Sequence, residues 1–213
     1  MSRGKLSYGQ DGELVLLLSD GKRIGHTNNS PVGNNGVILL IDCSQSMAGD
    51  KIRQAMAGAT EFAKSALTRG AVVGVASFGD EATLLVETSA NPDEICRAVE
   101  EITTGGYTNM AAGITLASIA LSEYMPRTIV LVTDGQPNLR GMTDAGEREK
   151  ALDAARAARL RDIRIICIGV DGADLEFLKL IASAPSLAQK VGCGNGGLQN
   201  ALAASVDRLR LKG

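Results

Sequence analysis

The sequence predicts an α/β fold: a doubly wound, mainly parallel sheet with one antiparallel edge strand, preceded by an N-terminal β-hairpin. Two observations carry this. Short apolar runs rich in Val, Ile and Leu alternate with segments whose apolar residues follow helical spacing, the pattern of parallel strands joined by right-handed helical crossovers. With 213 residues, 45% of them hydrophobic, the chain has room for one domain whose sheet is covered on both faces.

The elements follow in order. Leu14-Val15-Leu16-Leu17-Leu18 is a strand between the turn signals Asp11-Gly12 and Asp20-Gly21, with a shorter partner on either side. Residues 1–35 therefore form a hairpin extension at the domain edge. The polar stretch Asn28 to Gly36 is a loop leading into the main domain, residues 36–213. Val37-Ile38-Leu39-Leu40-Ile41 is the first central strand. Ile52, Met56, Ala59, Ala63 and Ala66 recur at helical spacing, Gly70 stops that helix, and Val72 to Ala76 begins the next strand. Thr83 to Val86 follows closely enough for a hairpin connection and is antiparallel.

Asn91-Pro92 opens a helix through Glu101, and a further helix runs from Asn109 to Tyr124. The strand Thr128 to Thr133 ends on Asp134. A helix over Glu147 to Leu160 leads to the strand Ile163 to Ile168, a short helix spans Asp174 to Ser183, and a weak strand covers Ala188 to Val191. The apolar stripe of Leu198, Leu202, Val206 and Leu209 belongs to a closing helix that runs to Leu211.

Composition excludes several function classes. A net charge of -2 without a Lys/Arg cluster disfavours nucleic acid and an anionic membrane as partners. No apolar stretch exceeds strand length and no signal peptide is recognisable, so neither export nor a membrane anchor is expected, and with the cysteines described next the expected setting is the cytoplasm. Cys43, Cys96, Cys167 and Cys193 lack Cys-x-x-Cys spacing and read as reduced, mostly buried thiols. His26, the only histidine, lies in a polar loop and reads as a surface residue, so neither a catalytic His pair nor a zinc site is supported. The segment Gly192 to Gly197 matches Gly-x-Gly-x-x-Gly, but only 16 residues follow it, too few for a dinucleotide-binding unit. Glu147 to Lys150 with Arg156, Arg159 and Arg161 reads as a solvated helix face.

The chemistry concentrates at strand ends. Asp42-Cys43-Ser44-Gln45-Ser46 leaves the first central strand with one carboxylate and two hydroxyls. Gly105-Gly106-Tyr107-Thr108 is a flexible loop delivering a third hydroxyl, and Thr133-Asp134-Gly135 ends another strand on a carboxylate. Hard divalent cations take such oxygen ligands, and in an open parallel sheet ligands bind beyond the carboxyl ends of the strands.

Taken together, Asp42-x-Ser44-x-Ser46, Thr108 after a Gly-Gly loop, and Thr133-Asp134-Gly135 resemble the von Willebrand factor type A domain, in the family's order, over residues 35 to 212. The resemblance implies a Rossmann-like fold and a metal-ion-dependent adhesion site formed by Asp42, Ser44, Ser46, Thr108 and Asp134. It implies Mg2+ as the cofactor, with Mn2+ fitting the same ligands. Ca2+ is disfavoured because Met47-Ala48-Gly49-Asp50 lacks the paired acids of an adjacent calcium site, leaving Asp50 to cap a helix.

It further implies a non-enzymatic, bacterial protein-binding module whose metal is completed by an Asp or Glu from a partner protein, of the class of an AAA+ ATPase or its client. In some members the closing helix shifts with the metal; here it is read as packing. The alternative is a Mg2+-dependent phosphohydrolase of the haloacid-dehalogenase type. That enzyme needs an acid at the second motif position, where this chain has Ser44. No Gly-x-x-x-x-Gly-Lys-Ser/Thr loop supports an ATPase.

Overall fold

The computed structural model describes residues 3–9, 13–25, 34–135, 137 and 144–209. Their strands are β1 (Gly4–Tyr8), β2 (Leu14–Leu18), β3 (Arg23–Ile24), β4 (Asn34–Asp42), β5 (Val72–Phe78), β6 (Ala82–Ser89), β7 (Met125–Thr133), β8 (Ile163–Val170) and β9 (Ala188–Val191). The helices are α1 (Asp50–Thr68), α2 (Pro92–Glu100), α3 (Met110–Ala120), α4 (Asp144–Leu160), α5 (Leu175–Ile181) and α6 (Gly197–Ala204). One nine-stranded sheet has the order β3-β2-β1-β6-β5-β4-β7-β8-β9.

The strands from β5 through β4, β7 and β8 to β9 are parallel, as the alternating pattern requires, and β6 is antiparallel to β5. The sheet does not end at β6. Gly4 and Lys5 of β1 pair with Leu84 and Thr83, so β6 is an interior strand and the hairpin strands extend the same sheet. Lateral pairing of β1 satisfies main-chain groups that an edge would leave to solvent.

The central strands are apolar on both faces because both faces are covered. Val37 to Ile41 and Ile129 to Val132 are at most 1% exposed. On one face α1 packs against α2 and α6, while on the other α3 packs against α4. Helix α3 is apolar nearly all round, with Met110, Ile114, Leu116, Ala117 and Ile119 wholly buried, because β2, β6 and α4 surround it. In α1, Gly58 lets α6 approach closely: a Cβ there would lie 2.9 Å from Gln199 Cα.

The sheet's switch point falls at β4. The chain leaves β4 through α1 to β5 on one side, and later reaches β7 on the other side, so the crevice beyond the carboxyl end of β4 is open to loops from both directions.

Several sequence expectations need correction. The Asn28 to Gly36 loop ends earlier than expected, since strand pairing with β7 begins at Asn34; residues 28–33, His26 and the Asp11-Gly12 turn lie outside the described residues. Helix α3 stops at Ala120 rather than Tyr124, where the amides of Ser122 and Tyr124 turn back to Ile119 and Leu121 carbonyls. The closing helix breaks at Ser205 into a 3-10 turn over Ser205–Arg208, with the Ser205 hydroxyl donating to the Leu202 carbonyl at 2.6 Å; Leu211 lies outside the described residues.

Asp50 does not cap α1. Gly49 holds that position with φ +87°, and the Asp50 carboxylate pairs instead with Arg53 one turn on. The α4 face is less solvated than its charge suggests. Glu147 is 1% exposed, Arg148 pairs with Asp174 at 3.0 Å over the Phe177 ring, and Arg159 donates to the Ile181 carbonyl at 2.8 Å. Of the cysteines only Cys167 is buried; all four are free.

Candidate metal centre

The site lies beyond the carboxyl ends of β4 and β7, whose register aligns Ile41 with Val132. Asp42, the last residue of β4, is 0% exposed. One of its oxygens accepts from the Ser44 amide at 2.8 Å and the other from Thr133 Oγ1 at 2.6 Å. Burial pushes its carboxyl up from the ordinary 3.8 to about 6 against these hydrogen bonds, and the charge of Asp134 across the site pushes the same way. Asp42 is thus a charge on the floor of the site, held by its own loop and by the neighbouring strand.

After Asp42 the chain turns through Ser44 into a 3-10 turn over Gln45–Met47, anchored by buried Met47. This turn brings the Ser44 and Ser46 hydroxyls 3.1 Å apart. Ser46 Oγ donates in turn to Asp134 Oδ1 at 2.7 Å. Thr108, 1% exposed, comes from the Gly-Gly loop. A Cβ at Gly135 would stand 3.9 Å from both Ser46 Oγ and Thr108 Oγ1, so these two hydroxyls flank the same small space. The five sequence-predicted residues are therefore brought together: Asp42 and Ser44 from the end of β4, Ser46 from the turn, Thr108 from the loop before α3, and Asp134 after β7.

Three residues that sequence reasoning did not assign to the site hold it in place. Thr133, quoted in the motif without a role, presents its hydroxyl to Asp42 and accepts from the Gly135 amide at 3.2 Å. Asp80, in the β5–β6 turn, accepts from the Tyr107 amide at 2.8 Å and occupies the space a Cβ at Gly106 would need. Gly106, at φ +71°, is thus required by its conformation and by this close approach. The loop is also pinned by the Gly105 amide to the Cys43 carbonyl at 2.8 Å and by the Asn109 amide to the Gly79 carbonyl at 2.8 Å.

The third residue is Lys51, in the first turn of α1. Its Nζ forms an ion pair with Asp134 Oδ2 and donates to the Ser46 carbonyl at 3.1 Å. The hydrogen bond it donates to Asp134 holds the Lys51 ammonium above its ordinary range. A lysine beside an acid in a helix's first turn reads as surface charge, so only the fold reveals this contact.

The donor set is oxygen only: three neutral hydroxyls and two carboxylates. Such a set fits a hard divalent cation of the Mg2+ or Mn2+ type and not zinc or copper, which favour imidazole and thiolate. Among the described residues no three His, Cys, Asp or Glu side chains gather as a metal-binding group. In the loop after β8, Asp171 at φ +45° accepts from the Cys193 amide at 3.0 Å, while Asp174 caps α5 by accepting from the Phe177 amide at 3.0 Å. The Gly192 to Gly197 segment forms a tight turn into α6, with Gly197 packed on the Gly192 carbonyl, and no dinucleotide-type strand follows it among the described residues.

The sequence model of the von Willebrand factor type A domain matches residues 37–136, the span from β4 to just beyond Asp134. A magnesium-chelatase 67 kDa subunit of Chlorobaculum parvum is 29% identical over 73% of this chain and 27% of its own length, so the chain spans little more than a quarter of that relative. Among solved structures, the vWF domain of the type V pili tip protein Mfa5 from Porphyromonas gingivalis superposes with a TM-score of 0.72 at 15% identity, covering 85% of this chain and 98% of that one. Manganese-loaded TRAP protein of Plasmodium vivax superposes with a TM-score of 0.58 at 23% identity, covering 70% of this chain and 62% of that one.

Proposed function

We propose that this chain, whose fold is that of a von Willebrand factor type A domain and whose residues 37–136 match that family's sequence model, is a non-enzymatic, divalent-metal-dependent protein-binding module. Asp42, Ser44, Ser46, Thr108 and Asp134 would hold Mg2+, and Mn2+ suits the same oxygens. When bound, the ion supplies an electrophilic vertex that an Asp or Glu carboxylate of a partner protein can complete. The observation that carries this reading is the convergence of three hydroxyls and two carboxylates from separate segments beyond the ends of β4 and β7.

The protein's own residues do the rest. Ser44, Ser46 and Thr108 contribute no charge, so the site carries two formal negative charges at most and retains affinity for an incoming anion. Thr133 and the Ser44 amide orient Asp42. Tyr107, 42% exposed beside buried Thr108, offers an aromatic body to a docking partner at the rim. The phosphohydrolase alternative gains nothing, because Ser44 stands at the position where that enzyme needs a general acid/base.

The similarity to a chelatase subunit supports assembly with other subunits, and the partner class we propose is an AAA+ ATPase or its client. The four free cysteines support a cytoplasmic setting, and no helix among the described residues is long and apolar enough to cross a membrane.

Thermal unfolding of chelator-stripped protein tests the reading. Mg2+ or Mn2+ at 100-fold excess over its dissociation constant should stabilise the wild type by about 2.7 kcal/mol, and Asp134→Ala should abolish the gain. Capture of an acidic partner should likewise require the ion. A wild type whose unfolding midpoint ignores both metals, in the presence and absence of carboxylate-bearing peptide, refutes the proposal.

A further inference from the structure

The ion pair between Lys51 and Asp134 bears on how tightly such a site can hold a metal. Asp134 has 1% of its side chain exposed, and both of its oxygens are already engaged: Oδ1 by the Ser46 hydroxyl and Oδ2 by the Lys51 ammonium. The same ammonium bonds the Ser46 carbonyl, so it bridges the hydroxyl-bearing turn and the β7 carboxylate. It sits 26% exposed on the first turn of α1, close to the space that Ser46 and Thr108 flank. A positive charge fixed on one of the site's two carboxylates opposes a second, divalent positive charge there, and the effect is strong because the carboxylate is buried.

We infer that Lys51 is an affinity-setting residue: its ammonium acts as a resident counter-cation of Asp134, holding the metal-free site together and weakening its grip on Mg2+ and Mn2+. This rests on the metal-site reading above. Binding a divalent ion through Asp134 means giving up or loosening the Lys51 contact, while the ammonium keeps its bond to the Ser46 carbonyl at 3.1 Å. Asp171, in the loop between β8 and α5 and held by the Cys193 amide, adds a weaker attraction through its charge. The lysine's charge makes the free chain a weak binder, so that a partner's carboxylate contributes more of the total affinity.

Calorimetric titration of the chelator-stripped 213-residue chain with MgCl2, and separately with MnCl2, tests this. Lys51→Met keeps the length of the side chain and removes the charge; it should bind both ions about tenfold more tightly than the wild type. Lys51→Arg keeps the charge and should stay within about threefold of the wild type. Unchanged or weaker binding by Lys51→Met, with the wild type binding measurably, overturns the role of Lys51 and leaves the metal site standing. No uptake of either ion by the wild type or by Lys51→Met overturns both. Should Lys51→Met unfold when stripped, metal-dependent thermal stabilisation replaces the titration: a larger gain in the variant supports the inference, and an equal or smaller gain overturns it.

Discussion

Asp42 shows how a single buried carboxylate couples the site to stability. Its carboxyl is raised from 3.8 to about 6, chiefly by burial, so between those values the folded protein binds more protons here than the unfolded chain. The contribution of this group is therefore favourable below pH 4 and is lost as pH rises through 6, a change of about 3 kcal/mol. Metal-free protein should accordingly lose stability from this source between pH 4 and pH 7, and Asp42→Asn should flatten the slope in urea titrations run with chelator. An identical slope in the variant would assign the effect elsewhere. Thr133→Val removes the hydroxyl that donates to Asp42 and should cost about 1 to 3 kcal/mol, since the carboxylate is left buried with fewer donors.

At the level of elements, two helix junctions decide how the site is framed. Gly58 in α1 faces α6 at a distance that admits no side chain, a Cβ lying 3.0 Å from Leu202 Cβ. Alanine is intrinsically the better helix former by up to about 1 kcal/mol. Overpacking typically costs about 1 to 3 kcal/mol, so Gly58→Ala should still destabilise on balance, measured by denaturant unfolding. Helix α5 begins at the Asp174 cap, which is also paired with Arg148 of α4. Its carboxyl is held below the ordinary range first by the Phe177 amide and then by Arg148. Asp174→Ala should cost about 1 kcal/mol through the lost cap, and Asp174→Asn, which keeps an accepting oxygen, should cost less. Equal losses would mean that the ion pair with Arg148 matters more than the cap.

For the molecule as a whole, the hairpin strands are the open question that the sheet itself poses. Residues 1–35 read from sequence as an extension, and we propose that their strands β1, β2 and β3 are energetically part of the sheet. Leu16 and Leu18 are 0% and 3% exposed, and β1 pairs the side of β6 that would otherwise be an edge. Deleting residues 1–33 should expose that edge and its apolar neighbours, giving lower stability and self-association in size-exclusion chromatography with light scattering. A monomeric, equally stable product would show instead that residues 34–213 stand alone.

Much of this architecture was legible in the sequence because it rests on local periodicity. Apolar runs such as Val37 to Ile41 and Ile163 to Ile168 can be satisfied only as buried strands, and the Asn91-Pro92 start and the Gly70 stop act within a turn of their own residues. The order and chemistry of Asp42, Ser44, Ser46, Thr108 and Asp134 could likewise be read, since strand ends in a parallel sheet share one side. What required the tertiary structure were contacts between residues distant along the chain: Lys51 on Asp134, Asp80 on Tyr107, Thr133 on Asp42, β1 on β6. Each of these side chains or edges has an ordinary local reading as a surface lysine, a turn aspartate, a strand threonine or a hairpin strand. Only packing decides which charges and hydroxyls end up facing one another, because that depends on long-range geometry that local pattern does not encode.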